Sequence, residues 1–365
     1  MTLLGRRDLL AGIAMTAMAG QVAQAGGSMH LAEEAAIEPD LPIVDPHHHI
    51  RDYRGADAGR ERYLAADFLS DIARSGHRVV QTMFVECGIM YRPDGPAERR
   101  SIGETDYVRR MADAVAARRP QTCAIAAGMV GKVDLRIGAR ADAVLRAHVE
   151  AGGGRLKGIR NSIAWDAYPP LAAMGLNRDL LNDADFLEGF KALEPLGLSF
   201  DIWLFHPQIP SLTALARRFP GTRIILNHCG NPLGIGPHAA RQRDVRKAWD
   251  SAMRELATCP NVCLKLGGLG PFGPVPDEGT EGHGSARLAA QWRPFVERSI
   301  DLFGVQRCMF ESNWPANAGI ASYGATWNAF KRIARGSSAD EKDWLFRRTA
   351  RTVYALPDGP DSGAR

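Results

Sequence analysis

The sequence predicts an α/β protein of the (β/α)8 TIM barrel class. Three observations lead there. Eight short apolar runs recur between residues 41 and 313, amphipathic helical stretches separate them, and the first run is not followed by the G-x-G-x-x-G turn of an open dinucleotide-binding sheet. The missing glycine turn also removes the main support for a nucleotide cofactor.

In order, the runs are "LPIVDPHHHI" (41–50), "RVVQTMFVEC" (78–87), "TCAIAAGMVG" (122–131), "RLKGIRNSI" (155–163), "LSFDIWLF" (198–205), "TRIILNH" (222–228), "NVCLKLGG" (261–268) and "QRCMFESN" (306–313). Their β-branched and aromatic content, and their length, suit buried parallel strands. Between them, stretches such as "GETDYVRRMADAVAARRP" and "DVRKAWDSAMRELATCP" repeat apolar residues at three- and four-residue spacing, the period of a helix with one buried face. Two Gly/Pro-rich loops, "GNPLGIGPHAARQRD" and "GGLGPFGPVPDEGTEGHGSA", follow the sixth and seventh runs. Loops of that length on a barrel shape a substrate pocket or lid. Their His238 and His283 read as loop histidines rather than ligands.

The flanks read differently. Residues 1–25 hold Arg6 and Arg7, a weakly apolar stretch from Leu9 to Ala19, and "AQA" ending at Ala25, the three parts of a twin-arginine-type signal peptide. Residues 26–40 then form a linker, 41–356 the barrel and 357–365 a tail, and the expected destination is the periplasm. The apolar stretch is too short for a membrane anchor. With 45 Lys and Arg against 41 Asp and Glu, mixed along the chain, neither a nucleic-acid groove nor a polybasic membrane patch is indicated. The six cysteines include no C-x-x-C pair, which argues against a cysteine zinc site, and a chain folded before export keeps them as buried thiols.

Several runs end in chemistry-bearing residues: His47 and His49, Glu86, Lys157 and Arg160, His206, His228, Lys265, Glu311 and Asn313. The C-terminal ends of barrel strands form one face, so these groups converge there. Successive side chains on a strand point to opposite sides, which sends His47 and His49 one way and His48 the other. An H-x-H pair suits a divalent metal or a substrate carbonyl.

The motifs "IVDPHHHI", "LKGIR", "FHPQIP", "IILNHCGNP", "NVCLKLGG" and "CMFESNWP", in this order, resemble the amidohydrolase-related family, and within it the barrel hydrolases that include sugar-lactone and pyrone-dicarboxylate lactonases. The resemblance covers nearly all of residues 41–356. It implies that His47 and His49 match the first-strand pair, His206 the strand-five histidine and His228 the strand-six histidine. In metal-dependent relatives the first-strand pair, the strand-five histidine and a strand-eight aspartate hold a divalent ion such as zinc or manganese. Other lactonases of the group work without a tightly bound metal.

The chain departs from the family at strand eight. Where relatives carry Gly-Ser-Asp-Trp-Pro, residues 311–315 read Glu-Ser-Asn-Trp-Pro. The amide of Asn313 lacks the basicity of the aspartate that assists water. Glu86 or Glu311 is then the substitute base. Glu311 reads rather more as a structural ion pair with Arg160, Lys157 or Lys265, and Glu86 as a ligand or a structural pair as readily as a base. Arg160, Lys157, Arg51 and Trp314 are the candidate substrate-binding residues, suited to a compact ring with an anionic or carbonyl oxygen.

The reading expected from the sequence is a hydrolase that opens a lactone or similar cyclic ester of a small carboxylated or carbonyl-bearing ring. His47, His49 and His206 are its metal candidates, and His228, Glu86, Glu311 and Asn313 its catalytic ones. Two alternatives stand beside it: a decarboxylase-type carbon–carbon lyase, and a catalytically impaired barrel that binds a ligand or metal. The expected partner is a small molecule, and a homo-oligomer is compatible with the sequence.

Overall fold

The computed structural model describes residues 34–53, 61–118, 123–270, 272–273 and 284–359. The leader expected at residues 1–25, His283 and the end of the tail lie outside the described residues.

Eight parallel strands follow one another around a single sheet in the order β1 to β8. They are β1 (Ile43–His48), β2 (Val79–Val85), β3 (Ala124–Gly131), β4 (Leu156–Ser162), β5 (Ser199–Trp203), β6 (Ile224–Leu226), β7 (Val262–Leu266) and β8 (Cys308–Phe310). Each lies within one of the eight apolar runs. Their near-complete burial explains why they read as continuous apolar runs rather than as alternating ones. The sheet closes where His49 N–H donates to the Trp314 carbonyl at 2.7 Å, beside a parallel bridge between His48 and Trp314. Buried Asp45 on β1 reinforces the seam, accepting from Ser312 Oγ at 2.6 Å and from Tyr323 Oη at 3.0 Å.

Helices alternate with the strands: α1 (Ala65–Ser75), α2 (Ile102–Ala116), α3 (Ala141–Gly152), α4 (Ala184–Phe190), α5 (Ile209–Arg218), α6 (Gln242–Ala257), α7 (Ser285–Phe303) and α8 (Tyr323–Ile333). In α1 the three- and four-residue spacing of Ala65, Phe68 and Ile72 makes the buried stripe, and Gly76 at φ +67° ends the helix in the left-handed conformation that costs glycine least. In α6, Val245, Trp249, Met253 and Leu256 do the same.

The core has three parts. The largest fills the space between strands and helices. A second lies inside the barrel, where Val44, Val80, Val130, Ile225, Cys263 and Met309 meet Val353 and Tyr354 from the C-terminal helical segment, which plugs the N-terminal end. A third caps one side of the opposite end and contains Leu171, Met174, Trp203, Phe205, Leu233 and Phe272. The plugged end leaves the C-terminal ends of the strands as the open face.

Candidate active site at the barrel mouth

The side chains above the apolar floor are polar in layers. Lowest is Lys265 on β7, whose Nζ donates to Asp201 Oδ2 of β5 at 2.8 Å with both side chains fully buried, and Tyr354 Oη donates to the same oxygen at 2.7 Å. Removing either charge leaves the other buried and unpaired, at a cost of about 3–5 kcal/mol.

Glu311 forms the next layer, just past β8 and fully buried. Its Oε2 lies 2.5 Å from His47 Nδ1, and its Oε1 lies 2.7 Å from His228 Nδ1 and accepts from the His228 backbone N–H at 3.1 Å. The two imidazoles stack with centroids 4.9 Å apart. On the other side of His47, Arg160 Nη1 donates to Nε2 at 3.2 Å. Because a guanidinium only donates, His47 Nε2 is the acceptor, and the ring proton sits on Nδ1 facing Glu311. Burial, followed by the charge of Lys265, holds His47 well below the usual histidine range, so it stays neutral.

His228 has φ +57° and opens a turn in which Cys229, Gly230 and Asn231 are also left-handed. Strain of this kind is sustained only where the surroundings over-determine it. Here two glycines supply the room. A Cβ on Gly268 would lie 2.0 Å from His228 Nδ1, and one on Gly267 would lie 2.5 Å from Glu311 Cγ. With its Nδ1 hydrogen on Glu311, His228 keeps the Nε2 lone pair unengaged by that contact.

His49 lies beside His47 at a ring-centroid distance of 5.0 Å and donates from Nδ1 to the Val85 carbonyl at 2.8 Å, which orients its Nε2 lone pair too. Its burial, with Arg160 and Arg51 nearby, keeps it well below the usual histidine range. His48 points out of the barrel, with its Nε2 3.0 Å from Thr82 Oγ1 and its ring on Phe68 at 4.4 Å. A register shift between Asp45 and His48 marks the irregular end of this strand, as bulges often do beside active sites.

Arg160 donates from Nε to Glu86 Oε1 at 2.8 Å and from Nη2 to the Glu86 carbonyl at 2.6 Å. Glu86 is therefore charge-paired. Three of the five N–H groups of Arg160 are engaged, counting the one on His47.

Other sequence expectations are corrected. Lys157 sits at the opposite end of β4, its Nζ donating to the Ala355 carbonyl at 3.1 Å. Three residues of strand are about 10 Å, enough to carry it out of the mouth that Arg160 reaches. Trp314 faces the outside of the barrel, where its indole N–H meets Tyr63 Oη at 2.7 Å and Asp71 Oδ2 at 2.8 Å. His206 joins neither His47 nor His49. The Leu233 N–H points to its Nδ1 at 3.4 Å, and its ring lies 6.2 Å from His238, which pairs with Asp166 at 2.9 Å. Glu311 bonds the two histidines rather than Arg160, Lys157 or Lys265. Asn313, at φ +52°, donates weakly to Asn317 Oδ1 at 3.4 Å and has no ionisable group of its own.

Residues 44–356 match the Amidohydrolase family. The chain belongs to that family. Among its relatives, protein y4mH of Sinorhizobium fredii is 32% identical, covering 87% of this chain and 99% of its own length. An L-fucono-1,5-lactonase of Burkholderia multivorans is 30% identical over 87% of this chain and 98% of its own length. A solved amidohydrolase from Burkholderia multivorans with bound zinc superposes with a TM-score of 0.66 at 26% identity, covering 86% of this chain and 99% of that one.

For an amidohydrolase the donor chemistry of the centre is informative. Among the described residues, His47, His228 and Glu311 bring one ligand atom each within 4.8 Å of one another. Two imidazoles and a carboxylate are a donor set that fits a divalent ion. One contact opposes it: a metal on His47 Nδ1 moves the ring proton to Nε2, where Arg160 already donates. The metal set expected from the sequence is His47, His49 and His206, and Gly267, Gly268, Asp201 and Asp45 stand outside the expected site residues. The signal for the glycines was present in the double glycine that ends the seventh run.

Proposed function

We propose that this amidohydrolase opens a lactone or similar cyclic ester, with His228 as general base and Glu311 as the carboxylate that holds it. The observation that carries the reading is the 2.7 Å contact between Glu311 and His228 Nδ1. It fixes the tautomer in which Nε2 is the base, and it places a buried negative charge where the imidazolium forms as water gives up its proton. The aspartate that relatives use is replaced by an amide at Asn313, and Glu311 supplies its charge two residues earlier on the same strand end. His47 spaces the system, linking the anion of Glu311 to the cation of Arg160 while remaining neutral.

The carbonyl oxygen gains negative charge as water adds, and the N–H groups of Arg160 left after Glu86 and His47 are satisfied are the cationic donors beside it. The protonated His228 then returns its proton to the leaving alkoxide. Were a divalent ion held by His47, His228 and Glu311, it would take the place of the protons they share and would supply Lewis acidity toward the carbonyl. The lactonase name of a relative at 30% identity supports the ester as the substrate group.

A panel of sugar and pyrone lactones, followed by proton release, tests the reading. Glu311→Gln should lower kcat about 10²- to 10⁴-fold with a smaller effect on KM, since the amide leaves the imidazolium without a counter-charge. Wild-type protein that opens no lactone, or that releases carbon dioxide from unsaturated acids instead, overturns it. We also propose that residues 1–25 export the folded chain and are removed after Ala25. An intact mass of periplasmic protein that includes those residues would refute this.

A further inference from the structure

The inner face of β1 continues past the two histidines. Arg51 follows His49 by two residues, and its backbone is extended, exchanging hydrogen bonds with Tyr63 at 2.7 and 2.9 Å. It thus belongs to the row of His47 and His49, one step nearer solvent, and its side chain is 14% exposed. Its ion pair among the described residues is a 3.7 Å contact with Glu61, whose side chain is 80% exposed. Such a pair is weak, easily exchanged and screened by salt.

The other inner cations each face a carboxylate partner. Arg160 is neutralised by Glu86 at 2.8 Å, and Lys265 by Asp201 at 2.8 Å in the layer below. Burial, followed by the charge of neighbouring Glu86, holds Glu104 up to about 8. Among the described residues the rim therefore offers a partly desolvated guanidinium with a weak partner, and the apolar cluster of Trp203, Phe205 and Phe272 lies at the same end of the barrel. An apolar wall accommodates the body of a ring, and a guanidinium donates to both oxygens of a carboxylate in bidentate fashion.

We propose that Arg51 receives a carboxylate of the substrate, so that the ring opened here is an anionic cyclic ester rather than a neutral sugar lactone. This deepens the lactone reading and rests on it for the ester. The carboxylate contact itself is independent of turnover.

Two measurements separate them. Calorimetry compares tetrahydropyran-2-carboxylate, which cannot be hydrolysed, with its carboxamide on wild-type, Arg51→Met and Arg51→Lys protein. Wild type is expected to prefer the carboxylate about 10- to 100-fold, Met to abolish the preference, Lys to restore part of it, and added salt to weaken it. Kinetics then compares a δ-lactone carrying a ring carboxylate with its carboxamide. The ratio of their kcat/KM values should fall by the same factor in Arg51→Met, through KM. Wild type binding the carboxylate no better than the amide, or Arg51→Met keeping the preference, overturns the inference. If the binding preference holds while no lactone is opened, the lactone reading fails and Arg51 stands as the carboxylate site.

Discussion

Glu311 accepts from two ring nitrogens, and that single fact organises the residues around it. Each of its oxygens holds one Nδ1, so His47 and His228 share one tautomer. Arg160 completes the arrangement by occupying His47 Nε2. A metal and this guanidinium therefore compete for the same imidazole. Replacing the pair together, Arg160→Met with Glu86→Gln, avoids stranding a buried carboxylate and should tighten zinc binding at least about tenfold in equilibrium dialysis. Unchanged affinity would show that Arg160 does not oppose the ion. At this scale the sequence told which side chains of β1 face inward, because alternation is a local property of an extended chain. It did not tell what Glu311 touches, since its partners arrive from β1 and β6, 264 and 83 residues away.

The strand ends act as units. The turn after β6 can hold His228 in a left-handed conformation because β7 is followed by two glycines that yield their side-chain space to His228 and Glu311, just past β6 and β8. Gly268 itself has φ +59°, so Gly268→Ala adds both backbone strain and a methyl group 2.0 Å from His228 Nδ1. The expected result is a loss of about 1–3 kcal/mol in stability, read as a lower Tm, and a fall in kcat of at least about 10²-fold as the ring is displaced from Glu311. A variant of wild-type activity would show that His228 is not held by this fit. The eight runs were legible as strands because buried parallel strands are apolar throughout. Lys157 and Arg160 share one apolar run yet reach opposite ends of the barrel, because a strand delivers its first and last residues to opposite faces.

Over the whole molecule, burial keeps histidines neutral well away from the mouth. His77, held by Lys331 Nζ at 2.9 Å and by the Gly324 carbonyl at 3.2 Å, and His148, between Thr105 at 2.8 Å and Ser101 at 3.1 Å, are both pushed down to about 4. Their unfolded value is about 6.5. Stability they contribute is therefore fully present above about pH 6.5 and is lost as pH falls through about 4. Each removes about 1.4 kcal/mol per pH unit in that window, while Asp45, held up to about 6 by burial, acts in the opposite direction. Denaturant unfolding at pH 7 and pH 5 should show the protein weaker at pH 5, and His148→Gln should flatten the difference; equal stability at the two values would refute the assignment.

By itself, the sequence determined the eight alternating units, the inward pair on the first strand and the family resemblance, because periodicity and motif order are written along the chain. Only the tertiary structure decided that Glu311 joins His47 to His228, that His206 and Trp314 turn elsewhere and that Arg51 is left with a weak partner. Those outcomes depend on which strand ends meet across the closed barrel, and burial then makes each pairing energetically binding.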